Sequence, residues 1–116
     1  MITNLLIKTQ SGKPLIPVEQ LDFDTNGIIG NIPCLPLRQV LIVPQSTLKQ
    51  FSLKAGDLRE NVVVDDDCLH QIASGVVLEI GEALIRLTFH CEPCKVIRDK
   101  VNPQKIAHQR GVLGYF

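Results

Sequence analysis

Residues 83–90 read ALIRLTFH, and this stretch indicates the fold class more clearly than any other part of the 116-residue chain. Ile85, Leu87 and Phe89 alternate with polar residues, so the pattern predicts that all three apolar side chains lie on one face of a strand. Gly81 lies just before the stretch and favours a hairpin turn. We therefore expect an antiparallel strand that is entered from a hairpin.

Around this strand, eight glycines and seven prolines divide the chain into short segments, as in a strand-rich domain. Further strands are predicted at residues 2–8, 37–43, 61–64 and 76–80, with a short helix at 45–51. Residues 14–17 contain two prolines and suit a sheet edge or a loop. Residues 22–31 are predicted to form a turn-rich loop. The sequence predicts a single, mostly β domain, a β-barrel or rolled sheet with a few short helices.

After Pro93 the spacing of the apolar residues changes. Cys94, Ile97 and Val101 lie three and four residues apart, as on one face of a helix that ends before Pro103. Pro93 suits the first helical turn, where its missing N–H costs nothing. We therefore expect Cys94 at the junction of a strand and a helix.

The composition restricts the possible partners. Lysine plus arginine equals aspartate plus glutamate at 12 each, so no overall charge attracts nucleic acid or anionic lipid. Aromatic residues make up only 4% of the chain, which argues against a pocket built around stacked rings and against an aromatic-rich nucleic-acid surface. No apolar run approaches the roughly 18 residues of a membrane span, and the first residues lack a signal-peptide pattern. We expect a cytoplasmic protein without nucleic-acid or membrane partners.

Cys94 is the strongest candidate for chemistry. A thiol at a helix start has a lowered pKa, because unpaired N–H groups and the helix dipole favour the thiolate. Lys95 adds a neighbouring positive charge. A small buried core residue fits the same local sequence, so both interpretations stay open at this point.

Cys91 and Cys94 form a C-x-x-C pair, which has two further interpretations. Structural zinc requires four ligands, usually as two close pairs, whereas Cys34 and Cys68 are isolated. A thioredoxin-like redox pair is typical of a βαβ unit, and the flanking pattern here is antiparallel. The sequence disfavours both without excluding either.

A second candidate group is GDLREN at residues 56–61. Arg59 is suited to gripping an oxyanion, and Asn61 can both donate and accept hydrogen bonds. The segment also fits a solvated turn with one local ion pair. Arg110 fits either a second anion contact or a surface arginine. The remaining polar candidates indicate no site: three consecutive aspartates at 65–67 suit a solvated turn rather than a Ca²⁺ loop, and the single histidines at 70 and 108 suit core or surface positions.

Taken together and in order, GDLREN followed by VVV, then LEIGEALIRLTFHCEPC, then RGVLGYF resemble the MOSC domain family, the C-terminal domain of molybdenum-cofactor sulfurases. The family pattern has a Gly-Asp-x-x-Glu-Asn segment that enters a strand, an Ile-Gly-x-Ala strand that ends in Pro-Cys, and a closing Gly-containing segment. An earlier Gly-x-x-Gly-Asp loop of the family is matched at residues 27–30, where Asn31 replaces the aspartate. The likeness is strongest over residues 56–94.

The resemblance implies a β-barrel-like fold that binds molybdenum cofactor, with the Cys94 thiolate as metal ligand. Related domains reduce N-hydroxylated compounds with this cysteine. By motif match, Glu60 and Asn61 would bind the cofactor, joined by Arg59 and Arg110.

The family also implies an alternative, in which a persulfide on Cys94 carries sulfur for cluster or cofactor sulfuration and Cys91 resolves it. Cys91 stands where many members have an arginine, so a cofactor-gripping charge is replaced by a second catalytic thiol. The chain is shorter than most members. We therefore expect a partner, either a cysteine desulfurase, an electron-transfer protein or a second copy in a homodimer.

Overall fold

The computed structural model describes residues 1–33, 35–92 and 97–116. Nine strands are present in these ranges: β1 Ile2–Ile7, β2 Ile16–Val18, β3 Phe23–Asp24, β4 Gly27–Ile28, β5 Val40–Pro44, β6 Val62–Val64, β7 Val77–Ile80, β8 Ala83–His90 and β9 Val112–Tyr115. Two short α-helices, α1 Gln45–Gln50 and α2 Pro103–Ile106, and one 3₁₀ turn, Leu69–Gln71, complete the described elements. The prediction of a mostly β chain with a few short helices is confirmed.

Seven strands form one sheet in the order β2-β1-β6-β5-β9-β8-β7, while β3 and β4 form a separate hairpin. The β5–β6 pair is parallel and every other described pair is antiparallel, so the sheet is mixed. The expected closed barrel is wrong, because the terminal strands β2 and β7 are not paired with each other within the described residues. The β2 edge is short and contains Pro17, which removes a backbone donor that closure would require.

Alternate residues of the central strands build two apolar clusters on opposite faces of the sheet. On β5, Leu41 and Val43 belong to the first cluster, while Val40 and Ile42 belong to the second. We call these the 41 cluster and the 42 cluster. The 41 cluster also holds Leu6, Leu15, Leu48, Leu58, Val63, Cys91, Ile97, Ile106 and Leu113. The 42 cluster also holds Ile28, Val62, Val64, Leu69, Ala83, Ile85, Leu87 and Val112.

The strand β8 has the bounds that its alternating pattern predicts, and it is entered by a tight turn in which Ile80 pairs with Ala83. Its last third differs from the prediction. The register with β9 shifts between Leu87 and His90, so Phe89 is 52% exposed instead of sharing the buried face. Cys91, the first residue after β8, packs in the 41 cluster as a result of this irregularity.

The predicted start of the helix after Pro93 falls on residues 93–96, which lie outside the described ranges. The described residues that follow form one turn, in which the amides of Lys100 and Val101 donate to the Ile97 carbonyl over 2.9 and 3.0 Å. A separate helix, α2, then starts at Pro103. Proline suits this first helical position because it has no N–H to satisfy.

Candidate functional site

The side chain of Arg110 joins two parts of the chain that the sequence analysis singled out separately. Its Nη1 donates to the carbonyl of Glu92 over 2.8 Å, and its Nη2 donates to the carbonyl of Leu58 over 3.0 Å. Leu58 lies within GDLREN, and Glu92 is the last described residue before Pro93 and Cys94. With 5% of its surface exposed, Arg110 is a buried cross-link, and the surface-arginine interpretation is wrong.

Gly111 allows Arg110 to reach this position. Its φ is +121°, a conformation that L side chains rarely adopt, and a Cβ there would lie 2.5 Å from the carbonyl oxygen of Ile42. The Gly111 carbonyl in turn accepts a 2.8 Å hydrogen bond from the amide of Cys91. The backbone on both sides of the cross-link is therefore held against its neighbours.

Glu60, the fifth residue of GDLREN, has a fully buried carboxyl group. Oε1 accepts a 3.1 Å hydrogen bond from the amide of Leu58, whereas Oε2 has no partner among the described residues. Burial raises the pKa of Glu60 above its ordinary value, opposed in part by the backbone amides of Gly56, Glu60 and Leu58. Nearby Asp57 adds a smaller upward contribution to this pKa. Glu60 is thus a weaker acid than an exposed glutamate.

Asn61 connects three segments. Its Nδ2 donates to the carbonyl of Leu6 and to Oδ1 of Asn31, both over 3.3 Å, while its Oδ1 accepts from the amide of Leu41 over 3.2 Å. These contacts lie at the start of β6, where the side chain reaches β1 on one side and β5 on the other. The amide group of Asn61 is engaged within the protein, and the residue is buried.

Arg59 is only half-buried and adopts a left-handed backbone conformation, with φ of +64°. Its Nη1 donates to the carbonyl of Lys13 over 2.6 Å. On the other side of the segment, Asp57 Oδ1 lies 4.0 Å from Lys100 Nζ, which follows the Ile97 turn. This ion pair joins GDLREN to a distant part of the chain and is not local. The solvated-turn interpretation of the whole segment is also wrong, since Leu58, Glu60 and Asn61 are buried.

Cys91 packs in the 41 cluster with 4% of its surface exposed, and its Sγ lies 3.8 Å from the carbonyl oxygen of Glu92. Cys68 is exposed. Cys34 and Cys94 lie outside the described residues, so the structure places neither. Within residues 1–33, 35–92 and 97–116 no three metal-binding side chains converge. The zinc interpretation depends on the two undescribed cysteines and stays a prediction.

The predicted site residues fit a molybdenum cofactor unequally. A cysteine thiolate suits a metal that accepts sulfur ligands, so the chemistry of Cys94 fits. Gripping a phosphate requires N–H donors that point out of the protein. Asn61 and Arg110 are instead buried and donate to amide and carbonyl oxygens of the chain itself. Half-buried Arg59 uses one of its five N–H donors on the Lys13 carbonyl, so of the three it is the best placed to meet a phosphate. Direct cofactor binding by these residues and by Glu60 stays a prediction.

Two other predicted features have local structural roles. Asp65 Oδ1 accepts a 2.9 Å hydrogen bond from the amino group of Met1, and this bond lowers the pKa of Asp65. The imidazole of His70 lies edge-on to that of His90 at 5.5 Å, and burial followed by the charge of His90 lowers the pKa of His70. None of these contacts gathers a further catalytic group in the described residues.

A cavity of about 550 Å³, which no pattern in the sequence indicated, lies between β1, β6 and the turn that joins β7 to β8. The rings of Phe23 and Phe116 stack in its wall, with centroids 4.2 Å apart and planes 11° apart. The expectation that no pocket uses stacked aromatic rings is wrong. Composition gives the number of aromatic rings, but it carries no signal that Phe23 and Phe116, which are far apart in sequence, lie in contact.

Among the described residues, no helix is long and apolar enough to cross a bilayer.

The residues joined by the Arg110 cross-link lie within a match to a known protein family. The family model of the MOSC domain matches residues 35–115. YuaD from Bacillus subtilis superposes with a TM-score of 0.72 at 16% identity, covering 99% of this chain and 90% of that protein. YiiM from Escherichia coli gives 0.72 at 20% identity, covering 98% and 61%. A hypothetical protein of known structure gives 0.73 at 19% identity, also covering 98% and 61%.

These structural likenesses show a shared fold, and the chain spans only 61% of the length of two of these three neighbours. No curated protein matches the chain.

Proposed function

Because this chain belongs to the MOSC domain family, which is associated with molybdenum-cofactor proteins, we propose that it binds molybdenum cofactor and uses the Cys94 thiolate as a metal ligand. The observation that carries the proposal is the double hydrogen bond of Arg110. It holds the Leu58 carbonyl of GDLREN and the Glu92 carbonyl two residues before Cys94 in one cross-link. GDLREN and the segment that leads to Pro-Cys, the two most family-specific parts of the sequence, are thereby joined through one side chain.

The proposed roles of the other residues follow from their burial. Arg110 positions the backbone that leads to Cys94, and Asn61 fixes the start of β6 against β1 and β5. Glu60 accepts a hydrogen bond from the amide of Leu58 and so fixes the backbone of GDLREN. When bound, the cofactor would supply redox chemistry at molybdenum, and the resemblance implies the reduction of N-hydroxylated compounds. We assign the metal contact to Cys94 and a positioning role to the three buried polar residues.

Elemental analysis tests the metal contact. Wild type, Cys94→Ser and Cys68→Ser would be purified from a host that makes the cofactor. We expect stoichiometric molybdenum in wild type and in Cys68→Ser, whose thiol is exposed and lies outside both apolar clusters. Cys94→Ser should lose the metal. Wild type without molybdenum from such a host would contradict the proposal.

A second candidate function rests on Cys91. Cys91 lies three residues before Cys94 in sequence. Its Sγ approaches the same Glu92 carbonyl that Arg110 binds. A cysteine desulfurase would load Cys94 as a persulfide, and the Cys91 thiol would attack the inner sulfur, releasing hydrogen sulfide as a Cys91–Cys94 disulfide forms. Since Cys91 is buried, this step requires local opening of the 41 cluster.

The sulfur-carrier function is tested by intact-mass measurement after incubation with a cysteine desulfurase and cysteine. We expect the mass of one added sulfur to persist on Cys91→Ser, which retains Cys94 but lacks the resolving thiol. In wild type the added sulfur should be transient and give way to the loss of two hydrogens as the disulfide forms. No added sulfur on Cys91→Ser, with Cys94 shown to react with a thiol reagent, would contradict this function.

We also propose that a second copy or an electron-transfer partner completes the cofactor site. The support is that Asn61 and Arg110, two of the predicted cofactor-binding residues, are buried and donate to atoms of the chain itself. Light scattering on cofactor-loaded protein would distinguish a dimer from a monomer. A metal-loaded monomer that is fully active with a small-molecule reductant would contradict the proposal.

A further inference from the structure

The cavity between β1, β6 and the β7–β8 turn lies where the open sheet curls toward closure without completing it. A Cβ on Gly81, in that turn, would lie 4.0 Å from Ile2 Cδ1 of β1. The volume of about 550 Å³ falls within the range of small-molecule sites. Its lining is formed by β1, the segment 19–23, the β7–β8 turn and Phe116, over a floor from β6 and β8.

The sheet separates this cavity from the Arg110 cross-link. Its floor residues Val62, Ala83 and Ile85 belong to the 42 cluster, whereas Leu58 and Cys91 belong to the 41 cluster on the opposite face. A molecule in the cavity therefore makes no use of the residues that support the proposed cofactor function, and the two sites can be tested independently.

The base and one wall of the cavity are apolar. The stacked pair of Phe23 and Phe116 provides a flat aromatic surface, and Ile85 and Val62 are buried at the base. Because neither ring has to be ordered on binding, an apolar group enters with little loss of side-chain entropy. The apolar part of a ligand would gain from removing its surface from water.

The charged residues of the lining carry one sign. Glu19, Asp22 and Glu82 are exposed acids, and the lining includes no lysine, arginine or histidine among the described residues. Asp22 Oδ1 accepts a 2.7 Å hydrogen bond from Gln20 Nε2, which is a neutral partner. The cavity therefore combines an apolar interior with negative potential, which attracts cations and repels anions.

We propose that this cavity binds a small organic cation, an amine carried on an apolar body. The apolar body would lie against the Phe23–Phe116 pair and the base of the cavity, and the ammonium group would face the carboxylates of Glu19, Asp22 and Glu82. A neutral molecule of the same shape lacks the second interaction, and an acid is repelled. The cavity should therefore bind the cation more tightly than a neutral or an acidic molecule of the same shape.

Three probes of one shape test this selectivity: phenethylamine, 2-phenylethanol and 3-phenylpropanoate. Binding is followed by NMR through the methyl signals of Leu5 and Ile85, with Ile97 of the opposite face as the internal reference. We expect phenethylamine to shift the first two signals and to bind about three- to tenfold more tightly than the alcohol, because exposed charge pairs contribute modestly. The carboxylate should bind more weakly than either.

The charge is tested with a Glu19→Gln, Glu82→Gln double variant. Both positions are exposed, so the fold should persist. We expect its preference for the amine to be reduced, because only Asp22 of the three acids remains, and its affinity for the alcohol to match that of wild type. Asp99→Asn removes an exposed acid outside the lining and should leave all three affinities unchanged.

Three results would overturn the proposal: no methyl shift with phenethylamine up to about 10 mM, equal affinity of wild type for the amine and the alcohol, or a preference for the amine that is undiminished in the double variant.

Discussion

Arg110 Nη2 lies 3.0 Å from the carbonyl oxygen of Leu58, a contact between residues 52 positions apart in the chain. Because the same guanidinium binds the Glu92 carbonyl, this one buried side chain links GDLREN to the residues that follow β8.

Replacing this guanidinium should cost stability. We expect Arg110→Met to lower the free energy of unfolding by about 2–3 kcal/mol, because the buried Leu58 carbonyl loses its charged donor while the aliphatic volume is kept. Urea denaturation measures the change. Arg98→Met, at an exposed position, is the control and should shift the free energy by less than about 0.5 kcal/mol. An unchanged midpoint in Arg110→Met would show that the cross-link is dispensable.

Asn61→Ala should destabilise the sheet by about 2–4 kcal/mol, since the backbone groups of Leu6 and Leu41 lose a buried partner. Hydrogen exchange localises the effect: the amide of Leu41 should lose protection before amides of β8 do. Asn4→Ala removes an exposed asparagine from β1 and is the matched control. Full protection of Leu41 in Asn61→Ala would contradict the cross-strand role.

Glu60 should make stability depend on pH in a definite direction. Its pKa is raised in the folded state, so between its ordinary value of 4.5 and the folded value the native state binds more protons than the unfolded state. This contribution is full below 4.5 and is lost as pH rises through the folded pKa. Glu60→Gln cannot ionise, so its stability relative to wild type should increase as pH rises above 4.5.

Urea denaturation of both proteins across this pH range measures the difference. Glu19→Gln removes an exposed glutamate and should track wild type at every pH. If Glu60→Gln also ran parallel to wild type, burial of the Glu60 carboxyl group would not perturb its ionisation.

Gly111→Ala should cost about 3 kcal/mol or more, because its methyl group would collide with the Ile42 carbonyl in addition to straining the backbone. Gly75→Ala separates the two causes. Gly75 also has a positive φ, of +91°, but nothing lies within 4 Å of a Cβ there, so only the strain of about 1–2 kcal/mol remains. Thermal denaturation of both variants would show the difference, and equal losses would mean that crowding at Gly111 is relieved elsewhere.

Local patterns were sufficient for individual elements. The period of two in residues 83–90 predicted β8 with its observed bounds, and Gly81 predicted the turn before it, because alternation and turn chemistry act between neighbouring residues. The order of the GDLREN, Pro-Cys and RGVLGYF segments predicted the MOSC family, which the match over residues 35–115 shows. The part of the site that the sequence identified best, Cys94, lies outside the described residues.

The amino-acid sequence by itself therefore determined the strand-rich class, the main hairpin and the family. Only the tertiary structure decided that the barrel stays open, that the register shift exposes Phe89 and buries Cys91, and that Arg110 is a cross-link instead of a surface charge. It also brought Phe23 against Phe116 in the wall of a cavity. The reason is physical: these features depend on which distant strands pair and on how the sheet curls, and neither is encoded in the periodicity of any single segment.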